Sequence, residues 1–364
     1  MRYALILAGG SGTRLWPMSK LQQPKQLIPF VNGKSLLQIA YDRLEGLVES
    51  SNRYICAGNA HKDIIIDRLD GFDSARFLGE PTGRDTLNAL AYSSAIISKK
   101  DPDAVIAVFT ADHIIEPQDE FRRIVEKGYR TAEENDNTLV TFGIAPTYAA
   151  TGFGYLELGD SVSEDAMRLK QFREKPALPD AEAFLKAGAG RYLWNSGMFV
   201  WKASTLLACV EKYEPECFNG IMSIAETFDT DGFEQTLETV YPELKKISID
   251  FAVMEPASSD EDFCVAAVPM PLTWLDIGSW SSYGEICEKD QLGNSSLGCD
   301  SILHGSRDNL VLSDNGDHLI AGIGLENMII IQSGNATLIC PKDRDQDIKK
   351  LYDDIKETYG DKYI

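Results

Sequence analysis

Residues 5 to 30 read LILAGGSGTRLWPMSKLQQPKQLIPF, and two cations, Arg14 and Lys25, stand among them. Gly9, Gly10, Ser11, Gly12 and Thr13 carry almost no side-chain bulk, so backbone N–H groups there can come close to phosphate oxygens. Thr13 adds a hydroxyl and Arg14 a forked charge that suits a phosphate. Lys25 adds a second cation on a segment stiffened by Pro24. Leu7 and Ala8 lead into the loop, and the set can reach the α- and β/γ-phosphates of a nucleoside triphosphate. Two familiar glycine loops do not fit. Gly10-Ser11-Gly12 opens a GxGxxG whose last glycine would fall at Leu15, and no GK[ST] follows for a Walker A loop. A plain strand-to-helix turn explains the glycines but not the arginine.

The acids come next. Asp112, in Thr110-Ala111-Asp112-His113, ends a wholly apolar run, a position suited to Mg²⁺, which takes carboxylate and phosphate oxygens. A turn or helix-cap aspartate is the plainer alternative. His113 reads as a packing or orienting residue; His61, His304 and His318 form no cluster with it, so no zinc site is expected. Asp276 sits in Trp274-Leu275-Asp276-Ile277-Gly278-Ser279-Trp280, where two tryptophans either wall a site or fill a core. Glu174-Lys175-Pro176 and Trp194-Asn195-Ser196-Gly197-Met198 are further polar clusters in apolar surroundings. There is no GxSxG, no CxxC and no lysine in a Schiff-base setting, so no nucleophile–base pair is visible.

These residues need a scaffold. Apolar runs of strand length (Tyr3–Ala8, Arg53–Ala57, Ala75–Leu78, Ala104–Phe109, Thr138–Ile144) alternate with helix-period segments (from Ser35, His61–Leu69, Thr86–Lys99, Glu120–Glu134). Alternation of this kind predicts a doubly wound α/β fold with a mostly parallel sheet. Ligands then bind beyond the carboxyl ends of the strands, which is where the glycine loop and Asp112 fall. After residue 285 the texture changes to short β-rich pieces (Ser301–Leu303, Leu310–Leu312, His318–Ala321, Met328–Gln332, Ala336–Cys340) split by Gly, Asn and Asp. An amphipathic helix is expected from Asp345 to Tyr359. The expected division is a catalytic domain over 1–285 and a small β domain over 286–364, its repeats too irregular to predict a solenoid.

Composition narrows the class. The chain has 364 residues, 44% hydrophobic and 25% charged, as in a soluble globular protein. Its net charge of −21 excludes nucleic acid and anionic membranes as partners. A few local cations must therefore hold any anion against an unfavourable field. Apolar runs such as Ala4–Ala8 are too short to cross a bilayer, and no signal peptide is expected. Seven scattered cysteines point to free thiols in a reducing cytoplasm.

Read in order, the motifs resemble the sugar-1-phosphate nucleotidyltransferases, and among them the bacterial mannose-1-phosphate guanylyltransferases. LAGGSGTRLWPMS with PKQ, TADH, FGIAP, TGFGYLE, FREKP, WNSGMF, WLDIGSW and the closing KDRDQDIKKL all follow the family's order. The resemblance implies a Rossmann-like sheet followed by a small left-handed β-helix. It implies that GTP and mannose 1-phosphate give GDP-mannose and pyrophosphate, with Mg²⁺ as cofactor, and it admits a homodimer. Gly9 to Arg14 would hold the triphosphate and Lys25 would support it. Glu80, Pro81 and Arg84 would lie near the base or ribose. Phe153, Gly154, Glu174 and Asn195 would line the sugar, Lys175 would face its phosphate, and Asp112 and Asp276 would bind Mg²⁺. Three positions depart from the pattern: Asp85 replaces an asparagine, Asn88 a proline, and Ala149-Ala150 lacks a proline before Thr151. Asp85 is expected either to accept hydrogen bonds from guanine or to cap the helix that follows. A transferase of another nucleotide or sugar phosphate, and a non-catalytic nucleotide-sugar sensor, are the alternatives.

Overall fold

The computed structural model describes residues 1–10, 12–21, 23–31 and 33–364. The chain divides into two compact units, one of 1–9, 40–111 and 115–274 and one of 10–39, 112–114 and 275–364.

A nine-stranded sheet forms the first unit. In chain order its strands are β1 (Arg2–Leu7), β2 (Arg53–Gly58), β3 (Phe77–Glu80), β4 (Val105–Thr110), β5 (Thr138–Ile144), β6 (Tyr155–Ser161), β7 (Met167–Arg173), β8 (Tyr192–Lys202) and β9 (Cys264–Pro269). Their spatial order is β3-β2-β1-β4-β8-β5-β9-β7-β6, and all but β7 and β8 run the same way. The mostly parallel α/β sheet expected from the alternation is therefore present. β1, β4 and β5 are almost wholly buried, as strands covered on both faces must be. Helix α1 (Asp85–Lys100) is buried without a break from Leu87 to Ile97 and packs against Ala203–Tyr213 and Pro215–Thr227. Helix α2 (Gln118–Glu134) instead buries one stripe, including Phe121, Ile124, Val125, Gly128 and Ala132, with the spacing of an amphipathic surface helix.

Some predicted boundaries move. The strand expected at Ala75–Leu78 lies at Phe77–Glu80, because the Asp73 carboxylate accepts the Ala75 N–H and folds Ser74–Arg76 into a short turn. The helix opened by Ser35, whose hydroxyl accepts from Gln38 N–H at 3.2 Å, ends at Asp42. Leu44 and Val48 remain buried on tighter turns beyond it.

In the second unit the chain coils. β10 (Ser295–Leu297), β12 (Leu310–Ser313) and β14 (Met328–Ser333) stack in parallel, with Ser295 opposite Leu310 and Leu310 opposite Ile329. β11 (Asp300–His304) pairs in parallel with β13 (Leu319–Ile323) on another face. The chain thus returns after 15 and then 19 residues, an uneven rung length that hides the repeat from the sequence. Asparagines tie the rungs. Asn294 Oδ1 accepts from Asn309 Nδ2 at 2.9 Å, and Asn309 Oδ1 accepts the Met328 N–H at 2.9 Å. β15 (Ala336–Pro341) closes the stack antiparallel to β14. The last helix is α3 (Ile348–Tyr359), preceded by a 3-10 turn at Lys342–Asp347 where the pattern had extended the helix. The core of this unit joins Leu15, Trp16, Phe30, Trp280, Tyr283, Ile329 and Ile348.

Candidate active site

Parallel pairing sets Leu7 at the end of β1 beside Thr110 at the end of β4, so Ala8-Gly9 and Ala111 leave the sheet from one carboxyl edge. The Ala8 N–H donates to Cys56 O and the Ala111 N–H to Leu7 O.

Gly10 begins the second unit, and its φ of 99° is open only to glycine at low cost. Gly12 has φ 59°, and a Cβ there would lie 2.6 Å from Lys25 Cβ, so glycine lets the lysine stem cross the loop. Thr13–Leu15 forms a short 3-10 turn that leaves Arg14 exposed. Ser11 lies outside the described residues. Lys25 opens another short turn after Pro24, and its ammonium donates to Asp112 Oδ2 at 2.6 Å, a contact only 12% and 23% exposed at the two side chains. The Ile277 N–H donates to Asp112 O at 3.0 Å, which holds the segments carrying the two acids together. Asp112, His113 and Asp276 each present a ligand atom within 4.8 Å of the others, and His113 Nε2 is 3.7 Å from Asp112 Oδ1. His113, expected only to pack or orient, therefore belongs to a set able to hold a metal ion. Burial pulls the Lys25 ammonium down, but Asp112 and Asp276 outweigh it and its pKa stands above the usual value. Asp276 is raised, first by burial and then by the neighbouring Asp112. Of the two tryptophans flanking Asp276, Trp280 is fully buried core and donates to Trp16 O, while Trp274 stays half-exposed.

The remaining candidates lie in the first unit. β8 breaks register against β5 between Asn195 and Phe199, and Gly197 turns there with φ 70°. Such a bulge re-aims side chains. Asn195 Oδ1 accepts from Thr141 Oγ1 at 2.7 Å, its backbone N–H donates to Gly154 O, and its Nδ2 donates to Asp250 Oδ1 at 3.0 Å. A Cβ on Gly154 would lie 2.7 Å from Glu174 Oε2, so a side chain at that position would fill the space before the acid. Glu174, 5% exposed, accepts from the exposed Lys175 at 2.7 Å. Burial lowers the Lys175 pKa, but Glu174 and then Asp250 raise it, and the net shift is upward. Phe153 packs edge-on against Trp194 and Trp274, each at 5.3 Å. Phe153, Gly154, Glu174, Lys175 and Asn195 are thus brought together.

Asp250 joins them without having been anticipated. It opens a π-helical turn, Asp250–Met254, a feature frequent at functional sites. Burial first, then Glu174, push its carboxyl up to about 7. The available signal was an acid between Ile249 and Phe251-Ala252-Val253, the same polar-in-apolar cue that marked Asn195.

Glu80 ends β3, buried, and accepts from Tyr241 Oη at 2.6 Å. Pro81 follows it, half-buried. Arg84 Nε is buried and makes no hydrogen bond among the described residues. Asp85 starts α1 with φ 68°, a conformation that aspartate and asparagine both tolerate, and its Oδ1 accepts the Thr86 N–H at 2.9 Å. Asn88, fully buried, donates to Arg84 O and Lys245 O, bonds that a proline could not make.

The nucleotidyl transferase model matches residues 3–292, and the model described as MannoseP isomerase/GMP-like beta-helix domain matches 301–354. The mannose-1-phosphate guanylyltransferase RfbM of Salmonella typhimurium is 34% identical over 99% of this chain and 73% of its own. A mannose-1-phosphate guanylyltransferase of Klebsiella pneumoniae is 33% identical over 100% and 76%. Among solved structures, one described as a mannose-1-phosphate geranyltransferase from Thermus thermophilus has a TM-score of 0.85 at 28% identity, covering 98% of this chain and 99% of that one. The chain belongs to the nucleotidyl transferase family, within the mannose-1-phosphate guanylyltransferases.

Proposed function

We propose that this chain transfers the guanylyl group of GTP to α-D-mannose 1-phosphate, giving GDP-mannose and pyrophosphate. The observation that carries the reading is the Lys25–Asp112 ion pair behind the glycine loop, with Asp276 and Arg14 as its charged neighbours. Cations and metal-type acids gathered at a bulk-free loop suit a triphosphate better than any other common ligand.

A phosphate oxygen of the sugar phosphate attacks the α-phosphorus of GTP, and the bond to the β-phosphate breaks. The nucleophile is already ionised, so no general base is required, in keeping with the missing catalytic dyad. Positioning and charge do the work. Gly9, Gly10, Ser11, Gly12 and Thr13 hold the phosphates, with Arg14 and Lys25 opposing the charge that gathers on the leaving pyrophosphate. Lys25 stays protonated near neutral pH because Asp112 and Asp276 support its charge. Lys175 faces the sugar phosphate, while Phe153, Gly154, Glu174, Asn195 and Asp250 receive the sugar. Glu80, Pro81, Arg84 and Asp85 serve the base and ribose. Asp112 and Asp276 would hold Mg²⁺; their oxygens suit a hard cation that keeps its remaining positions for phosphate and water. Bound there, it would supply positive charge to the phosphates.

The same reading assigns catalysis to 1–285 and the β-helix-like part to 286–364. It expects cytoplasmic residence and neither nucleic-acid nor membrane partners, and it admits a homodimer. No helix among the described residues is long and apolar enough to cross a membrane. The test is pyrophosphate release by purified protein. It should require both GTP and mannose 1-phosphate, stop with chelator and return with Mg²⁺. Release from GTP alone, or none with both substrates, would sink the reading.

A further inference from the structure

Glu80 is an expensive residue to bury. At 7% exposure its carboxyl has been drawn out of water, and burial raises its pKa; Asp85 adds to the rise, while the Tyr241 hydroxyl and the Arg84 backbone N–H oppose it. A buried carboxylate is retained at such cost where its lone pairs have partners. Among the described residues one side chain donates to the carboxyl: the Tyr241 hydroxyl, to Oε1 at 2.6 Å. The other oxygen, Oε2, lies 3.9 Å from where a Cβ on Gly9 would stand.

Tyr241 is built to stay where it is. Its ring is fully buried and meets Tyr92 edge-on at 5.8 Å. Burial, then the charge of Glu80, keep the phenol protonated at every working pH, so it is a permanent donor. The other titratable groups facing Glu80 are Asp85, Cys56 and Tyr92, and none of them donates a hydrogen bond to it among the described residues.

We propose that Tyr241 is a positioning residue for nucleotide choice, fixing the Glu80 carboxylate so that its other oxygen, Oε2, accepts from the N1–H and 2-amino edge of guanine. The inference rests on the proposed function, in which Glu80 serves the base. A carboxylate is acceptor-only while ionised and gains a donor when protonated. Tyr241 therefore acts twice: it sets the plane of the carboxyl and favours its ionised form. Adenine presents an acceptor at N1, which the ionised carboxylate repels.

The test is steady-state kinetics with GTP, ITP and ATP at saturating mannose 1-phosphate and Mg²⁺, for wild type, Tyr241→Phe, Glu80→Gln and the double variant. Inosine keeps N1–H but lacks the 2-amino group. Tyr241→Phe should raise KM for GTP about tenfold to hundredfold, the range for a lost hydrogen bond to a charged group. Its kcat and its KM for mannose 1-phosphate should hold, and its preference for GTP over ATP and ITP should shrink. The deficit should deepen as pH falls, because the unsupported carboxyl protonates more readily. The double variant should be no worse than Glu80→Gln alone. That comparison also serves if Tyr241→Phe fails to fold, because the double variant leaves no buried charge unpaired. A Tyr241→Phe enzyme that melts earlier with unchanged GTP preference, or a double variant with an added loss, would overturn the inference and leave Glu80 at the base. Unchanged GTP preference in Glu80→Gln would remove the base reading itself.

Discussion

Lys25 shows how far a single residue could be read. A lone lysine is normally a solvated surface group, and only its company with Arg14 and the glycines marked it. The structure adds what spacing cannot: the ammonium is nearly enclosed and paired with Asp112, 87 positions along the chain. Lys25→Ala should fold, since the loop closes on Gly12 whatever follows Cβ, and should lose about 10²–10³ in turnover, the usual cost of one preorganised charge stabiliser. Near-normal kcat in the purified variant would remove Lys25 from the phosphates. Asp85 was legible as a departure but not as a role: it is the first residue of α1, with positive φ, and its Oδ1 accepts the adjacent Thr86 N–H. Asp250 and Tyr241 were missed because each acts through a partner distant in sequence, Asn195 and Glu80. Motif reading finds residues that touch ligands in a fixed local pattern; it is blind to those that hold them.

Among the elements, long apolar strands were the easiest to see. β4 and β5 were placed within a residue, because strands buried on both faces need unbroken apolar runs. Residues 145 to 285 were harder, since β6, β7 and β8 mix exposed and buried positions and β8 carries a bulge. Five of the six strands β10–β15 are legible singly and β10 is not, while the coil follows only from the resemblance, because its rungs differ in length. The asparagines do the work that regular side-chain ladders do elsewhere. Asn309 is fully buried and bonded to Asn294, Leu325 and Met328. Asn309→Ala orphans several buried groups at about 1–3 kcal/mol each, so a loss of at least about 2 kcal/mol is expected in chemical denaturation. A loss below about 0.5 kcal/mol would show that the rungs hold without it.

Across the whole molecule, 56 acidic residues outnumber 35 basic ones, and several acids are buried at the candidate site. Folding raises the Asp250 carboxyl to about 7 from an ordinary value near 3.8. The folded chain therefore binds more protons than the unfolded one between those values, and stability falls as pH rises through that window. The contribution is complete below about pH 4 and lost above about pH 7. Asp250→Asn keeps an oxygen for Asn195 without the charge, so in denaturant melts without substrates it should gain on wild type up to about pH 7 and run parallel above. Curves parallel throughout would mean that Asp250 titrates normally.

The proposed synthesis of GDP-mannose turns on which nucleotide and which sugar phosphate the protein joins. The most direct measurement is a competition: purified enzyme with Mg²⁺, equimolar GTP, ATP, CTP and UTP, and equimolar mannose, glucose, galactose and N-acetylglucosamine 1-phosphates, with products identified by mass. GDP-mannose should dominate, formed in step with pyrophosphate. A dominant product carrying another base or another sugar, or no nucleotide sugar at all, would contradict it.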